Sequence, residues 1–151
     1  MKKAAAWGLC AAWMSVIFFM SAMPGEVSGE QSGTLVNLLL GAIEAVGISQ
    51  ESVNPALLEL LLRKGAHMAE YAVLFLLLFR ALRLSGVRRP GLTALLLSAA
   101  YAATDEFHQM FSEGRGPSPV DVLIDTAGAG VGWGVLMLLS KRPKALSKEE
   151  G

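Results

Sequence analysis

Apolar and polar positions divide the chain into long uncharged runs separated by connections rich in turn residues. Ala4 to Met23 contains no charge and is preceded by Lys2 and Lys3. At ~1.5 Å rise per residue, a helix of that length crosses ~30 Å of hydrocarbon, which predicts a first transmembrane helix over residues 4–23. Ser21-Ala22-Met23 resembles the cleavage site of a secretory signal, but the apolar run exceeds an h-region of about 7–15 residues. Pro24 at the new N-terminus also argues against cleavage, so the helix is expected to be retained. Residues 24–65 form an external connection containing Pro24, Gly25, Gly29 and Gly33, with no lysine or arginine before Arg63. Within it Leu35, Leu38, Leu39, Ala42, Ile43 and Val46 recur at helical spacing, which predicts a short amphipathic helix lying in the interface.

Asn54-Pro55 reads as a helix start, the amide capping and proline occupying the first helical position. That helix can run to Leu82, its membrane part beginning near Ala66 (span two, residues 66–82). RLSGVRRPG (residues 83–91) is a short basic loop. Leu92 to Thr104 is apolar apart from small hydroxyls and Tyr101, and Asp105-Glu106-Phe107-His108-Gln109 closes span three (residues 92–109) with a polar cluster. SEGRGPSP is turn chemistry. Ser118-Pro119-Val120-Asp121 fits a capping box that launches span four, residues 119–140. The expectation is a single all-α membrane domain with four transmembrane helices plus a short extracytoplasmic interfacial helix.

Composition agrees with lipid as the solvent: 53% of the 151 residues are hydrophobic and 17% charged, against roughly 25% charged in soluble proteins, and the mean hydropathy is +0.47. Thirteen lysines and arginines balance thirteen aspartates and glutamates, so the basic excess that nucleic acid requires is missing. Cys10, the single cysteine, reads as a small buried side chain. With a cytoplasmic N-terminus, ten lysines and arginines flank the spans inside and three (Arg63, Lys64, Arg115) outside, which places both termini in the cytoplasm. Arg80, Arg83, Arg88 and Arg89 then serve as orientation signals and as candidate partners of anionic inner-leaflet lipid.

This orientation gathers the unusual polar residues at the outer level. Ionisable groups in spans are expensive unless they face a bundle interior or water, so the cluster is a candidate functional site. At ~100° per residue Lys64, His67 and Tyr71 lie within about 60° of one another, with Glu70 on the flank. Asp105, His108 and Gln109 share a face of span three, with Tyr101 one turn deeper. Asp121 and Asp125 continue along a row to Gly128 and Gly132, a small-xxx-small pattern for close packing. His67, Glu70, Asp105, His108 and Asp125 are the candidate catalytic residues, with Lys64, Tyr71, Gln109 and Arg115 as substrate contacts. Asp121 is accounted for by the capping box, and Glu106, about 100° around from Asp105, is expected to face the headgroups.

These residues resemble the VanZ-like family. The resemblance is carried by Arg63-Lys64-Gly65-Ala66-His67-Met68-Ala69-Glu70-Tyr71, then Asp105-Glu106-Phe107-His108-Gln109, then Gly114-Arg115 and Asp121-Val122-Leu123-Ile124-Asp125-Thr126-Ala127-Gly128, and covers roughly residues 60–135. It implies a small multi-pass protein of the bacterial cytoplasmic membrane, linked through its named member to low-level resistance to the glycopeptide teicoplanin. It implies no settled reaction.

The residues themselves leave several chemistries open. His67, Glu70, Asp105 and His108 are candidate ligands for a divalent metal, since two i, i+3 pairs of this type recur in carboxylate-histidine bundles, although no HExxH-type signature is present. Without metal, a carboxylate-imidazole pair is an acid–base candidate. The leading expectation is an envelope protein that binds or modifies an anionic lipid or lipid-linked wall precursor, with Lys64 and Arg115 as anion contacts. The alternative is a non-catalytic module that acts by helix packing, partner binding or interception of the glycopeptide, its polar cluster structural. An ion-coupled transporter is disfavoured by the lack of ionisable groups in the inner halves of the spans and of an inverted repeat. Oligomeric state is not fixed by the sequence.

Overall fold

The computed structural model describes residues 2–23, 25–47, 49, 52–111 and 118–140, with backbone alone at 25–28 and 31. Five helices follow in chain order: α1 (Lys2–Ser21), α2 (Gly25–Ala45), α3 (Pro55–Leu84), α4 (Pro90–Gln109) and α5 (Pro119–Ser140). Among the described residues α1, α3 and α5 are long and apolar enough to cross a membrane. α4 matches α1 in length, 20 residues each. Its hydropathy is diluted by Thr93, Ser98, Tyr101, Thr104 and the polar residues of its last turns.

α3 is the centre of the bundle and packs against each of the other four helices. It starts where the sequence places it: Asn54 Oδ1 accepts from the backbone N–H groups of Ala56 and Leu57, with Pro55 in the first turn. Its buried positions, Tyr71, Leu74, Phe75, Leu78, Ala81 and Leu82, form one stripe at helical spacing. α1 lays Ala6, Cys10 and Ile17 into the same core, and α4 contributes Ala94 and Ala102. On α4 the packed face runs Ala94, Ser98, Ala102, Asp105 and Gln109, so small residues that allow close approach lead directly into the polar end.

The most extensive contact joins α3 and α5. A Cβ added to Gly128 would lie 2.7 Å from Met68 Cα, and one added to Gly132 would lie 2.7 Å from the carbonyl oxygen of Ala72. Gly130 and Gly134 face open space. The expected small-residue row is thus the contact surface, one glycine per turn, at Gly128 and Gly132.

α2 is longer than the short interfacial helix expected over residues 35–46. It packs on α3, burying Ser32, Val36 and Leu40, spaced i, i+4 and i+8. That burial offsets the propensity cost of Gly29 and Gly33, ~1 kcal/mol each. Leu35, Leu38 and Leu39, part of the expected amphipathic face, are exposed rather than packed into the core.

Adding a methyl group should therefore discriminate between the glycines. Gly128→Ala and Gly132→Ala are expected to destabilise the detergent-solubilised protein by about 1–3 kcal/mol through overpacking. Gly130→Ala should leave the thermal unfolding midpoint unchanged or slightly raised.

Candidate functional site

The close approach of α5 to α3 turns Asp125, one turn before Gly128, into the bundle, where it is 4% exposed. Asp105 from α4 is 3% exposed, and Tyr71 from α3 is fully buried. Glu70, Asp105, Glu106 and Asp121 are all near enough for their charges to act on Asp125. The result is a buried acidic cluster where the middle of α3 meets the end of α4 and the start of α5. The Tyr71 hydroxyl and Asp105 Oδ1 are buried there and make no hydrogen bond among the described residues.

α1 closes one side of the cluster through polar tethers. Gln109 Nε2 donates to Ser21 Oγ at 2.7 Å and lies 3.4 Å from Asp105 Oδ2. The Tyr101 hydroxyl donates to the Met14 carbonyl at 2.6 Å, and Trp13 Nε1 donates to the Glu70 carbonyl at 3.0 Å. An apolar helix without internal charge is thereby held in register against α3 and α4.

Two acidic residues have roles that the sequence hid. Asp121 forms an ion pair with Lys64 of α3, where the capping box would have turned it back on its own helix. Its backbone N–H donates to the Ser118 carbonyl at 2.8 Å. The Ser118 N–H is instead bonded by the Glu106 carboxylate. Glu106 is thus 6% exposed rather than turned to the headgroups, because the start of α5 covers the end of α4. Lys64, expected to contact an anion, spends its charge on Asp121 while its side chain remains 32% exposed.

The histidines take separate positions. His67 Nδ1 lies 3.6 Å from Glu70 Oε2 on α3, whereas the His108 ring packs on Phe18 of α1 with centroids 4.3 Å apart. Among the described residues no three His, Cys, Asp or Glu side chains converge closely enough to hold a metal ion. The four candidate ligands divide between these two places and the buried acidic cluster. Arg115 lies outside the described residues.

Beside the cluster a cleft of about 460 Å³ opens between the end of α1, α2 and the N-terminal half of α3. Met20, Met23, Leu35, Leu61 and Leu62 make its walls apolar, and Arg63, His67 and Glu70 bring charge to it. Glu70 lies between the two: it faces His67 in the cleft and is electrostatically coupled to Asp105 in the buried cluster. Arg63, Met20 and Met23 were not among the sequence candidates. Arg63 counted toward orientation and as part of the run that carries the resemblance, without a role of its own, and the methionines belong to an apolar run that carries no local signal.

The sequence model of the VanZ/LLP1 family matches residues 6–140. The chain belongs to this family. The match takes in α1 and α2 as well as the three polar blocks of α3, α4 and α5, reaching further toward the N-terminus than the resemblance at residues 60–135. No curated protein and no solved structure matches the chain. As a VanZ/LLP1 member with several apolar helices long enough to span, it is a multi-pass membrane protein.

The Lys64–Asp121 pair can be measured by a double-mutant cycle of Lys64→Met and Asp121→Asn, read by thermal unfolding in detergent. With both side chains about one-third exposed, a favourable coupling of about 0.5–1 kcal/mol is expected. Zero coupling would mean that the pair does not clamp α5 to α3.

Proposed function

We propose that this VanZ/LLP1 protein is a bacterial cell-envelope membrane protein whose polar end binds or modifies an anionic lipid or lipid-linked wall precursor, contributing to resistance to teicoplanin-type glycopeptides. In this reading α4 is a fourth span, because it lies in the same bundle as α1, α3 and α5 and equals α1 in length. Both termini are cytoplasmic, on the ten-to-three count of flanking cations. The cleft then opens to the outer face, where ATP is absent and wall precursors and antibiotics are present.

The observation that carries the proposal is the cleft itself. Apolar walls beside Arg63 and His67 suit an amphiphile with a hydrocarbon tail and an anionic head. Arg63 takes the anion-binding part that Lys64, held by Asp121, fills less well. The His67–Glu70 pair adjoins that head position and has the composition of an acid–base couple. Among the described residues the Tyr71 hydroxyl and Asp105 Oδ1 have no hydrogen-bond partner, and a polar ligand group reaching past Glu70 would satisfy them.

A second reading is favoured by a different observation. Lys64–Asp121, Glu106–Ser118 and Gln109–Ser21 each join two helices, as expected of a non-catalytic module whose polar residues fix packing.

The two readings separate on conservative variants expressed in a glycopeptide-sensitive bacterial host. Arg63→Gln, His67→Gln and Glu70→Gln are expected to accumulate and fold like the parent yet lose protection against the antibiotic. Arg63→Gln should also weaken binding of a polyprenyl-phosphate-linked precursor about tenfold, ~1.4 kcal/mol. Full protection by folded variants would favour the structural reading.

A further inference from the structure

Toward the C-terminal end of α3, away from the acidic cluster, lies a second cleft, of about 400 Å³, bounded by Leu76, Phe79, Arg80, Arg83 and Leu84 of α3 and Leu136 of α5. The α3 residues fall at i, i+3, i+4, i+7 and i+8, one unbroken helical stripe, apolar toward the middle of the helix and cationic toward its end. Arg80 and Arg83 are exposed, and neither forms an ion pair among the described residues. Arginines that only set orientation or snorkel to the headgroups need no concavity beside them. Here two guanidinium groups rim an apolar hollow within the ~300–1,000 Å³ range of ligand clefts.

We propose that this groove binds one anionic phospholipid, its phosphate on Arg80 and Arg83 and an acyl chain along Leu76, Phe79 and Leu136. Charge selects the headgroup: guanidinium forks match phosphate oxygens, and among the described residues no acidic side chain lines the groove to receive a cationic head. The apolar wall selects a lipid over a free anion. The site lies toward the C-terminal end of α3, past His67 and Glu70, and stands independently of the function proposed for them.

Native mass spectrometry of the full chain in detergent, titrated with phosphatidylglycerol and phosphatidylcholine of identical acyl chains, tests the assignment. The parent is expected to bind the first phosphatidylglycerol about 30-fold more tightly, from ~1 kcal/mol per arginine. Arg80→Gln/Arg83→Gln should abolish the preference, and Arg88→Gln/Arg89→Gln should keep it. Leu136→Trp, which fills the groove with both arginines intact, should weaken phosphatidylglycerol binding and keeps the test decisive if the arginine variant does not fold. Equal binding of the two lipids by the parent, a preference that survives Arg80→Gln/Arg83→Gln, or one lost only in Arg88→Gln/Arg89→Gln would overturn the proposal. So would displacement of the lipid by millimolar inorganic phosphate, which would make the occupant a free anion.

Discussion

The contact of α5 with the backbone of α3 governs what the polar end can be. Gly128 and Gly132 bring the helices so close that a single methyl group would meet Met68 or the Ala72 carbonyl. In lipid there is little hydrophobic gain in joining two apolar helices, so close packing of this kind is a main source of association. The same row of residues carries Asp125, one turn before Gly128. Fixing the glycines against α3 therefore fixes a carboxylate inside the bundle, facing Tyr71, Asp105 and Glu70. The packing device and the chemical group lie on one face of one helix.

Burying that many carboxylates in an apolar bundle is costly unless each finds a partner. Three solutions are visible. Asp121 takes Lys64, Glu106 takes the Ser118 N–H at the start of α5, and Glu70 faces His67. Asp105 has one oxygen near Gln109 and the other without a hydrogen bond among the described residues. The pattern is graded: residues at the edge of the cluster tie helices together, while those at its centre retain unspent polar capacity next to an apolar cleft. A structural network and a ligand site therefore coexist in one cluster, divided by position.

Much of this was legible in the sequence because helical periodicity is strong in uncharged segments. The start of α3 at Asn54-Pro55, the ends of α4 and α5 and the glycine row each have a local cause. Span order and charge asymmetry led to the expectation of His67, Glu70, Asp105 and Asp125 at one level, and in the bundle Glu70, Asp105 and Asp125 lie near enough for their charges to interact. What escaped was tertiary. The capping signature accounted for Asp121 locally, but Lys64 on another helix claims it and Glu106 supplies the cap's acceptor. Ser21 and Arg63 carry no local signal, since their roles depend on which helix packs beside them. The full length of α2 was obscured by its glycines, whose cost is met by Ser32, Val36 and Leu40 packing on α3.

The central claim is that α3, α4 and α5 bring their polar residues to one outer membrane level, which requires α4 to cross. Substituted-cysteine labelling with a membrane-impermeant maleimide in intact cells tests it most directly. In a Cys10→Ala background, Ser52→Cys and Phe111→Cys should be labelled from outside, and Arg88→Cys and Ser140→Cys only after permeabilisation. Labelling of positions 88 and 111 from the same side would show that α4 does not span and would contradict the account.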